Sequence, residues 1–192
     1  MKIKCIGALA AVGMLCASMG IAGAVTLTPA NPQPGKLKEG LYVTYGYPGG
    51  QIGSLSAASS ALKKGKKGKP LTGLNYKDTK EGDLVLTSRR EYQVAAAISG
   101  YVRFDAPGAY DIDFLTNDGL MVTLGGQPVA KYDGIHASSS TRVTKVTVPE
   151  AGWYALEMTY FQKKGTACLQ MRMAPEGGKV QQVSNNIFGY NK

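Results

Sequence analysis

The stretch GYVRFDAPGAYDIDFLTNDGLMVTLGGQPVAKYDG, residues 100–134, decides the fold class of this chain. In its YDIDF segment, aromatic and aliphatic residues alternate with aspartates, which is typical of a strand with one buried face. Asp111 and Asp113 are therefore expected on the solvent side. The Asp-Ala-Pro-Gly segment before this strand predicts a turn, and Gly125-Gly126 predicts a two-residue hairpin turn after LMVTL.

The same two-residue period continues on both sides of this stretch. It predicts further strands at residues 40–47, 92–104, 127–133, 144–148, 154–160 and 168–173. The segment SLSAASSALKK, residues 54–64, predicts one short helix, and no long amphipathic helix competes with the strands. The pattern predicts an all-β chain: a single domain folded as an antiparallel β-sandwich or a barrel-like sheet.

The N-terminus, residues 1–24, has the features of a removable signal peptide. Lys2 and Lys4 precede an apolar stretch that ends in Ala22-Gly23-Ala24, a small-x-small cleavage site. A membrane anchor is the weaker alternative because glycines and a serine interrupt the short apolar core. A lipoprotein acylated at Cys16 is another, although the bulky Leu15 precedes that cysteine. We therefore expect an exported protein that is periplasmic, secreted or attached to the cell surface, with no transmembrane segment in the mature chain.

Cleavage after residue 24 changes the bulk properties of the chain. The full chain has 22 Lys and Arg against 13 Asp and Glu, and the two lysines of the signal are lost, so the mature charge is 20 − 13 = +7. Only Cys168 remains of three cysteines, which excludes a disulfide within one mature chain. Cys168 is either a buried thiol or a link between two chains of a homo-oligomer. We expect a Pro-rich leader at 25–39, the domain at 40–174 and a C-terminal tail at 175–192.

The order of motifs resembles a known domain family. Gly40-Leu41-Tyr42, the Pro107-Gly108 turn, Asn117-Asp118-Gly119 and the hairpin from Gly125 are followed by VPEAGWYALEMTYFQKKGTACLQMRM, residues 148–173. This order is similar to that of the family named after the N-terminal part of anthrax protective antigen, over residues 40–174. The resemblance implies an antiparallel β-sandwich that serves as a carbohydrate-binding or adhesive module, or as a structural domain in toxins.

The resemblance also implies a calcium site. In the adhesin branch of the family, two adjacent aspartates joined by a cis peptide hold a calcium ion that bridges to sugar hydroxyls. Here the pair is Asn117-Asp118, so one carboxylate is lost, and calcium affinity rises with ligand charge. Asn117 and Asp118 are the predicted calcium ligands. The alternative for Asn117-Asp118-Gly119 is a structural turn, because Asn and Asp side chains readily hydrogen-bond the local backbone.

Other residues are candidates for the rest of a ligand site. The loop KYDGIHASSS contains Asp133 and His136, and a second loop spans Gln162–Thr166. Trp153 or Tyr132 is expected to provide an aromatic surface for sugar stacking. The lysine run at 63–69 is predicted to be a solvated loop, with a patch for anionic polymers as its alternative. Since Tyr76 is the single aromatic residue near that run, the sequence does not predict nucleic-acid binding.

The residue inventory does not favour an enzyme. The chain has one histidine, His136, and no Gly-x-Ser-x-Gly segment, so neither a metallohydrolase cluster nor a serine triad is indicated. We expect a non-enzymatic exported binding module that recognises a carbohydrate or cell-surface glycan, with calcium assisting at Asn117-Asp118-Gly119. The alternative is a structural or accessory subunit of an envelope or extracellular assembly that binds no sugar.

Overall fold

A computed structural model describes residues 24–192 and shows two β-sheets packed face to face. The predicted signal peptide lies outside the described residues, apart from Ala24. With the strands numbered in chain order, the first sheet has seven: Val25–Thr26 (β1), Asn75–Tyr76 (β5), Gly108–Asn117 (β7), Ser139–Ser140 (β10), Thr144–Val148 (β11), Cys168–Pro175 (β13) and Gln181–Gln182 (β14).

The second sheet has eight strands: Lys38–Glu39 (β2), Tyr42–Gly46 (β3), Lys66–Lys67 (β4), Val94–Phe104 (β6), Leu120–Leu124 (β8), Gln127–Tyr132 (β9), Gly152–Gln162 (β12) and Phe188–Tyr190 (β15). One α-helix, α1, spans Leu55–Leu62, and a short 3₁₀ turn spans Asn185–Ile187. The predicted all-β sandwich is confirmed, and the predicted short helix is present.

Long antiparallel pairs form the centre of each sheet. In the second sheet, β12 pairs with β6 along its whole length, from Gly152 opposite Phe104 to Gln162 opposite Val94. In the first sheet, β13 and β11 flank β7. One pair is parallel, β1 with β11, so the sandwich is not purely antiparallel.

The core fills the space between the two sheets, because the alternating apolar residues of both point inward. Phe104 is buried edge-on against Tyr154, with 5.2 Å between the ring centroids. The β8–β9 hairpin turns at Gly125 and Gly126, whose φ angles of 53° and 75° are accessible to glycine without steric cost. This is the turn that the sequence predicts.

The segments expected to be a leader and a tail contribute strands to both sheets. Residues 25–39 supply β1 and β2, and residues 175–192 supply β14 and β15. Leu27 and Phe188 are buried in the core, and Tyr190 is buried beside Tyr42. Both segments therefore pack on the domain itself.

Asp111 and Asp113 differ from the expectation of solvent-facing residues, since both are buried. Asp113 pairs with Arg172 on β13, whose Nε lies 2.8 Å from Asp113 Oδ1. Asp111 accepts a hydrogen bond from the Gly177 backbone N–H and lies 3.4 Å from Lys145 Nζ. Both lie on the outer face as predicted, but they are not exposed, because β7 is a central strand whose outer face carries cationic partners from its neighbours.

Helix α1 lies on the outer face of the second sheet. The Ser54 side chain caps its N-terminus by accepting a hydrogen bond from Ala57 N, and Leu55 and Ala58 face inward. These residues pack with Ile52, Ala95 and Phe161 in a second, smaller apolar cluster. No helix within residues 24–192 has the length and apolar character needed to cross a membrane.

Candidate functional site

The Asn117–Asp118–Gly119 turn joins β7 to β8 and therefore connects the two sheets at one end of the sandwich. Asp118 N donates to Phe161 O at 3.2 Å, and Phe161 N donates to Gly119 O at 3.0 Å, which ties the turn to the end of β12. A Cβ at Gly119 would lie 2.0 Å from Phe161 Cε1, so only glycine fits this close approach. The peptide bond between Asn117 and Asp118 is cis.

The Asp118 carboxylate is held by two loops from outside its own turn. Oδ1 accepts a hydrogen bond from His136 N at 3.0 Å, and Oδ2 accepts one from Lys163 N at 2.7 Å. The side chain is buried, with the residue only 2 % exposed. Asp118 therefore joins the β9–β10 loop to the β12–β13 loop. A purely structural turn would need hydrogen bonds only to its own local backbone, so these long-range bonds go beyond that interpretation.

Asn117 is also buried and bonded on two sides. Its Nδ2 donates to Thr166 Oγ1 at 3.2 Å, and its backbone carbonyl accepts a hydrogen bond from the Tyr160 hydroxyl. Burial raises the pKa of the Tyr160 hydroxyl well above its ordinary value, so it remains a proton donor at neutral pH. Asn117 is thus fixed by the end of β12 and by the loop after it.

His136 and Tyr132 form an aromatic pair beside Asp118. Their ring centroids are 3.9 Å apart, and His136 Nε2 lies 2.8 Å from the Asp118 carbonyl oxygen. His136 Nδ1 lies 2.7 Å from Ala137 O. Nδ1 also lies 2.8 Å from Ser139 Oγ, so the ring is held on both sides. The Tyr132 residue is 40 % exposed and presents its ring next to the turn.

Two predicted site residues have partners other than the turn. Asp133 Oδ1 accepts a hydrogen bond from Leu55 N at 2.7 Å, so this carboxylate binds the start of helix α1. Trp153 is eight residues before Phe161 on β12, about 26 Å away at the rise of an extended strand. Arg103 covers the Trp153 ring at 5.7 Å from its centroid. Trp153 therefore lies far from the turn, whereas Asn117, Asp118, Gly119 and His136 are brought together.

Cys168 lies behind the turn and is fully buried. It pairs with Asn117 across β7 and β13, and its Sγ contacts Ser138 Oγ. Burial raises the pKa of the thiol to about 11, which keeps it protonated and unreactive at neutral pH. The structure therefore supports a buried thiol rather than a link between two chains.

The side-chain oxygens around the Asn117–Asp118 turn are of the kinds that bind calcium, but they carry little negative charge. Asn117 and Asp118 offer amide and carboxylate oxygens, the ligands that Ca²⁺ prefers. Gln162 is buried beside them: its Nε2 donates to Thr166 O at 3.1 Å, while its Oε1 has no hydrogen-bond partner. Among residues 24–192, no three His, Cys, Asp or Glu side chains cluster as a metal site would require. A calcium ion here would have one carboxylate ligand, Asp118.

Sequence reasoning placed Gln162 in a candidate loop but missed that its side chain is buried, and it missed Tyr160 as part of this end. One signal was available: Gln162 continues the inward-facing parity of Tyr154, Leu156, Met158 and Tyr160, so a polar residue falls on an otherwise apolar face. Such a residue marks a polar end to the core. No sequence pattern indicates that the backbone N–H groups of His136 and Lys163 bond the Asp118 carboxylate.

The fold and this turn define a β-sandwich domain built from two sheets that the Asn117–Asp118–Gly119 turn connects. The family model of the PA14 domain matches residues 75–186, and the chain belongs to this family. A search of curated protein sequences found no match.

Solved structures of the same fold include three instructive neighbours. The PA14 domain of the antifreeze protein MpAFP has a TM-score of 0.68 at 19% identity, covering 82% of this chain and 93% of that one. The PA14 sugar-binding domain of an RTX adhesin has a TM-score of 0.64 at 18% identity, covering 80% and 99%. The A domain of epithelial adhesin 6 from Candida glabrata, in complex with Galβ1-3GlcNAc, has a TM-score of 0.65 at 10% identity, covering 86% and 93%.

Proposed function

We propose that the chain is a non-enzymatic, exported glycan-binding module whose ligand site lies at the end of the sandwich formed by Asn117–Gly119, Tyr132 and the loop at 162–166. The observation that carries this proposal is the Asp118 carboxylate, fixed by two backbone N–H groups beside the exposed Tyr132 ring. Each carboxylate oxygen accepts more than one bond, so Asp118 retains acceptor capacity. Sugar binding by the RTX adhesin domain and by epithelial adhesin 6 supports this choice of ligand class.

Calcium is part of the proposal, with Asn117 and Asp118 as its side-chain ligands. When bound, the ion would supply positive charge for sugar hydroxyl oxygens. With one carboxylate in the set, the affinity belongs at the weak end of protein calcium sites, with a Kd of about 10⁻⁴ to 10⁻³ M. A site of that affinity fills outside the cell, which agrees with the signal peptide predicted at residues 1–24.

The non-enzymatic part of the proposal rests on His136, the single histidine of the chain. Its Nδ1 lies 2.8 Å from Ser139 Oγ, but within residues 24–192 neither ring nitrogen bonds a carboxylate, so the Ser–His–carboxylate arrangement of a serine hydrolase is incomplete. A structural subunit of a larger assembly, the alternative function, would need a segment such as the C-terminal tail to dock on another protein. Because Phe188 and Tyr190 of the tail are buried in the domain itself, they offer no anchor for another protein.

A glycan array tests the proposal. Residues 25–192 are applied with 5 mM CaCl₂ or with EDTA, alongside Asp118→Asn, Tyr132→Ala and the control Asp105→Asn, which changes an exposed carboxylate in the β6–β7 turn. We expect calcium-dependent binding that is lost in Asp118→Asn, unchanged in Asp105→Asn and weakened about five- to tenfold in Tyr132→Ala through loss of ring stacking. The Tyr132 variant keeps the test valid if Asp118→Asn folds poorly. Absence of binding to every glycan, or equal binding by all variants, contradicts the proposal.

A further inference from the structure

The lysine run at 63–69 is anchored to the second sheet, although its side chains are exposed. Lys66 pairs with Tyr45 and Lys67 pairs with Thr44 in the antiparallel β4–β3 ladder. Gly68 N then donates to Val43 O at 2.9 Å. The backbone is thus fixed where a solvated loop was expected, and the lysine side chains project from a defined surface.

A second basic segment, Arg89-Arg90, is held against the same surface. Thr87 N donates to the Tyr45 hydroxyl at 3.0 Å, and Thr87 Oγ1 donates to Lys69 O at 2.6 Å. Arg89 N donates to the Tyr47 hydroxyl at 3.2 Å. Burial raises the pKa of Tyr45 to about 12, so its hydroxyl stays neutral and keeps both of its bonds to Thr87. The two basic segments, which are separated in sequence by residues 70–88, therefore meet in three dimensions.

Together these segments form what we call the basic pocket, which comprises Lys66, Lys67, Lys69, Arg89 and Arg90. Four of them line a concavity of about 240 Å³ with Tyr45, Tyr47 and Thr87, and no carboxylate lines it. The guanidinium of Arg90 lies over the Tyr47 ring at 4.8 Å. In the described part of the chain, none of the five cations forms an ion pair. Their charge is therefore available to an anionic ligand.

We infer that the basic pocket binds an acidic polysaccharide through the carboxylate or sulfate groups of its sugars. Arginine forks bind such groups in a bidentate manner, and the lysines add point charges around them. The concavity is below the roughly 300 Å³ at which pockets begin to enclose a drug-sized ligand, so it suits one charged sugar unit of a longer chain. This site uses neither Asp118 nor calcium and stands apart from the proposed function.

The aromatic residues of the pocket distinguish a polysaccharide from a nucleic acid. Tyr45 is buried and stacks against Tyr47 at an interplanar angle of 18°, while Arg90 covers Tyr47. Neither ring offers a free face to a base. Exposed Tyr92 nearby supplies a single ring, whereas single-stranded nucleic acids stack successive bases on several.

Binding to defined polymers tests the inference. Residues 25–192 are titrated with dextran sulfate, polygalacturonate, neutral dextran and a single-stranded oligonucleotide in 50 mM NaCl with EDTA. The pocket variant is Lys66→Gln/Lys69→Gln/Arg89→Gln. The matched control, Lys36→Gln/Arg142→Gln/Lys179→Gln, removes the same charge from exposed positions outside the pocket. We expect the pocket variant to bind an acidic polymer at least tenfold more weakly and the control to stay within threefold of the original chain. Thermal melting verifies that both variants fold.

The different polymers, salt concentrations and variants distinguish the possible outcomes of this experiment. Tighter binding of dextran sulfate or of polygalacturonate identifies the anionic group, and loss of binding in 1 M NaCl follows from a screening length of about 3 Å. Unchanged binding in Asp118→Asn supports a site independent of the turn. Equal weakening of both triple variants, tighter binding of a single-stranded oligonucleotide, or binding of neutral dextran alone would overturn the inference, as would the absence of binding to any polymer.

Discussion

Replacing Asp118 with alanine should destabilise the domain strongly. The carboxylate is 2 % exposed and accepts the backbone N–H groups of His136 and Lys163, at 3.0 and 2.7 Å. Each buried N–H left without a partner costs about 1–3 kcal/mol. Because water partly hydrates the two N–H groups in the space that alanine leaves, we expect the free energy of unfolding to fall by about 3 kcal/mol. For a domain of this size, that loss lowers the Tm by about 6–12 °C.

The assay is urea unfolding followed by the fluorescence of Trp153, the single tryptophan. The matched control is Asp105→Ala, whose side chain is 76% exposed and pairs with Arg103 on the surface. We expect the control to lose no more than about 0.5 kcal/mol. A loss below about 1 kcal/mol for Asp118→Ala, with an unchanged m-value, would refute the idea that this carboxylate joins the two loops.

Two substitutions and one measurement of thiol reactivity test other parts of the structure. Gly119→Ala should destabilise by about 1–3 kcal/mol in urea unfolding, because the new Cβ would lie 2.0 Å from Phe161. Arg172→Met should cost about 3 kcal/mol in the same assay, since it leaves the buried Asp113 carboxylate unpaired. Cys168 should not react with a thiol reagent at pH 8 in the folded chain, because a pKa of about 11 leaves about 0.1 % thiolate and the residue is buried.

Each of these three predictions has its own comparison. Gly49→Ala, with no atom within 4 Å of the new Cβ, should be close to neutral. Arg103→Met removes an exposed ion pair and should cost less than about 1 kcal/mol. In guanidinium chloride, Cys168 should react at the rate of a free thiol. Equal stability of Gly119→Ala and Gly49→Ala, or of Arg172→Met and Arg103→Met, would contradict the packing described, as would rapid reaction of Cys168 in the folded chain.

Local patterning was enough to predict the strands and turns that build the sandwich. The alternation at 120–124 and 144–148 marks β8 and β11 to the residue, and Gly125-Gly126 marks the hairpin, because a side-chain period of two and a positive φ are local properties. The Asn117-Asp118-Gly119 turn could likewise be placed from its residues. These features depend on neighbours in sequence.

Long-range contacts could not be predicted in the same way. The burial of Asp113 depends on Arg172, 59 residues away, and the partners of Asp118 are backbone groups of two distant loops. Trp153 was expected near the turn, but it lies at the other end of β12. The alternation of residues shows which face of a strand a side chain occupies, but it does not show which end of the sandwich the residue lies at. The meeting of the lysine run with Arg89 likewise depends on the folded positions of Tyr45 and Tyr47.

The central claim, a ligand site at the Asn117–Asp118 end, is tested most directly by amide NMR shifts. The N–H groups of His136 and Lys163 donate to the Asp118 carboxylate and therefore report on any ligand that contacts it. In 5 mM CaCl₂, a glycan selected from the array should shift these two amides and those of Asp118 and Tyr132 saturably. Trp153, at the far end of β12, should be unaffected. Saturable shifts centred on Trp153, or no saturable shift with any glycan, would contradict the account.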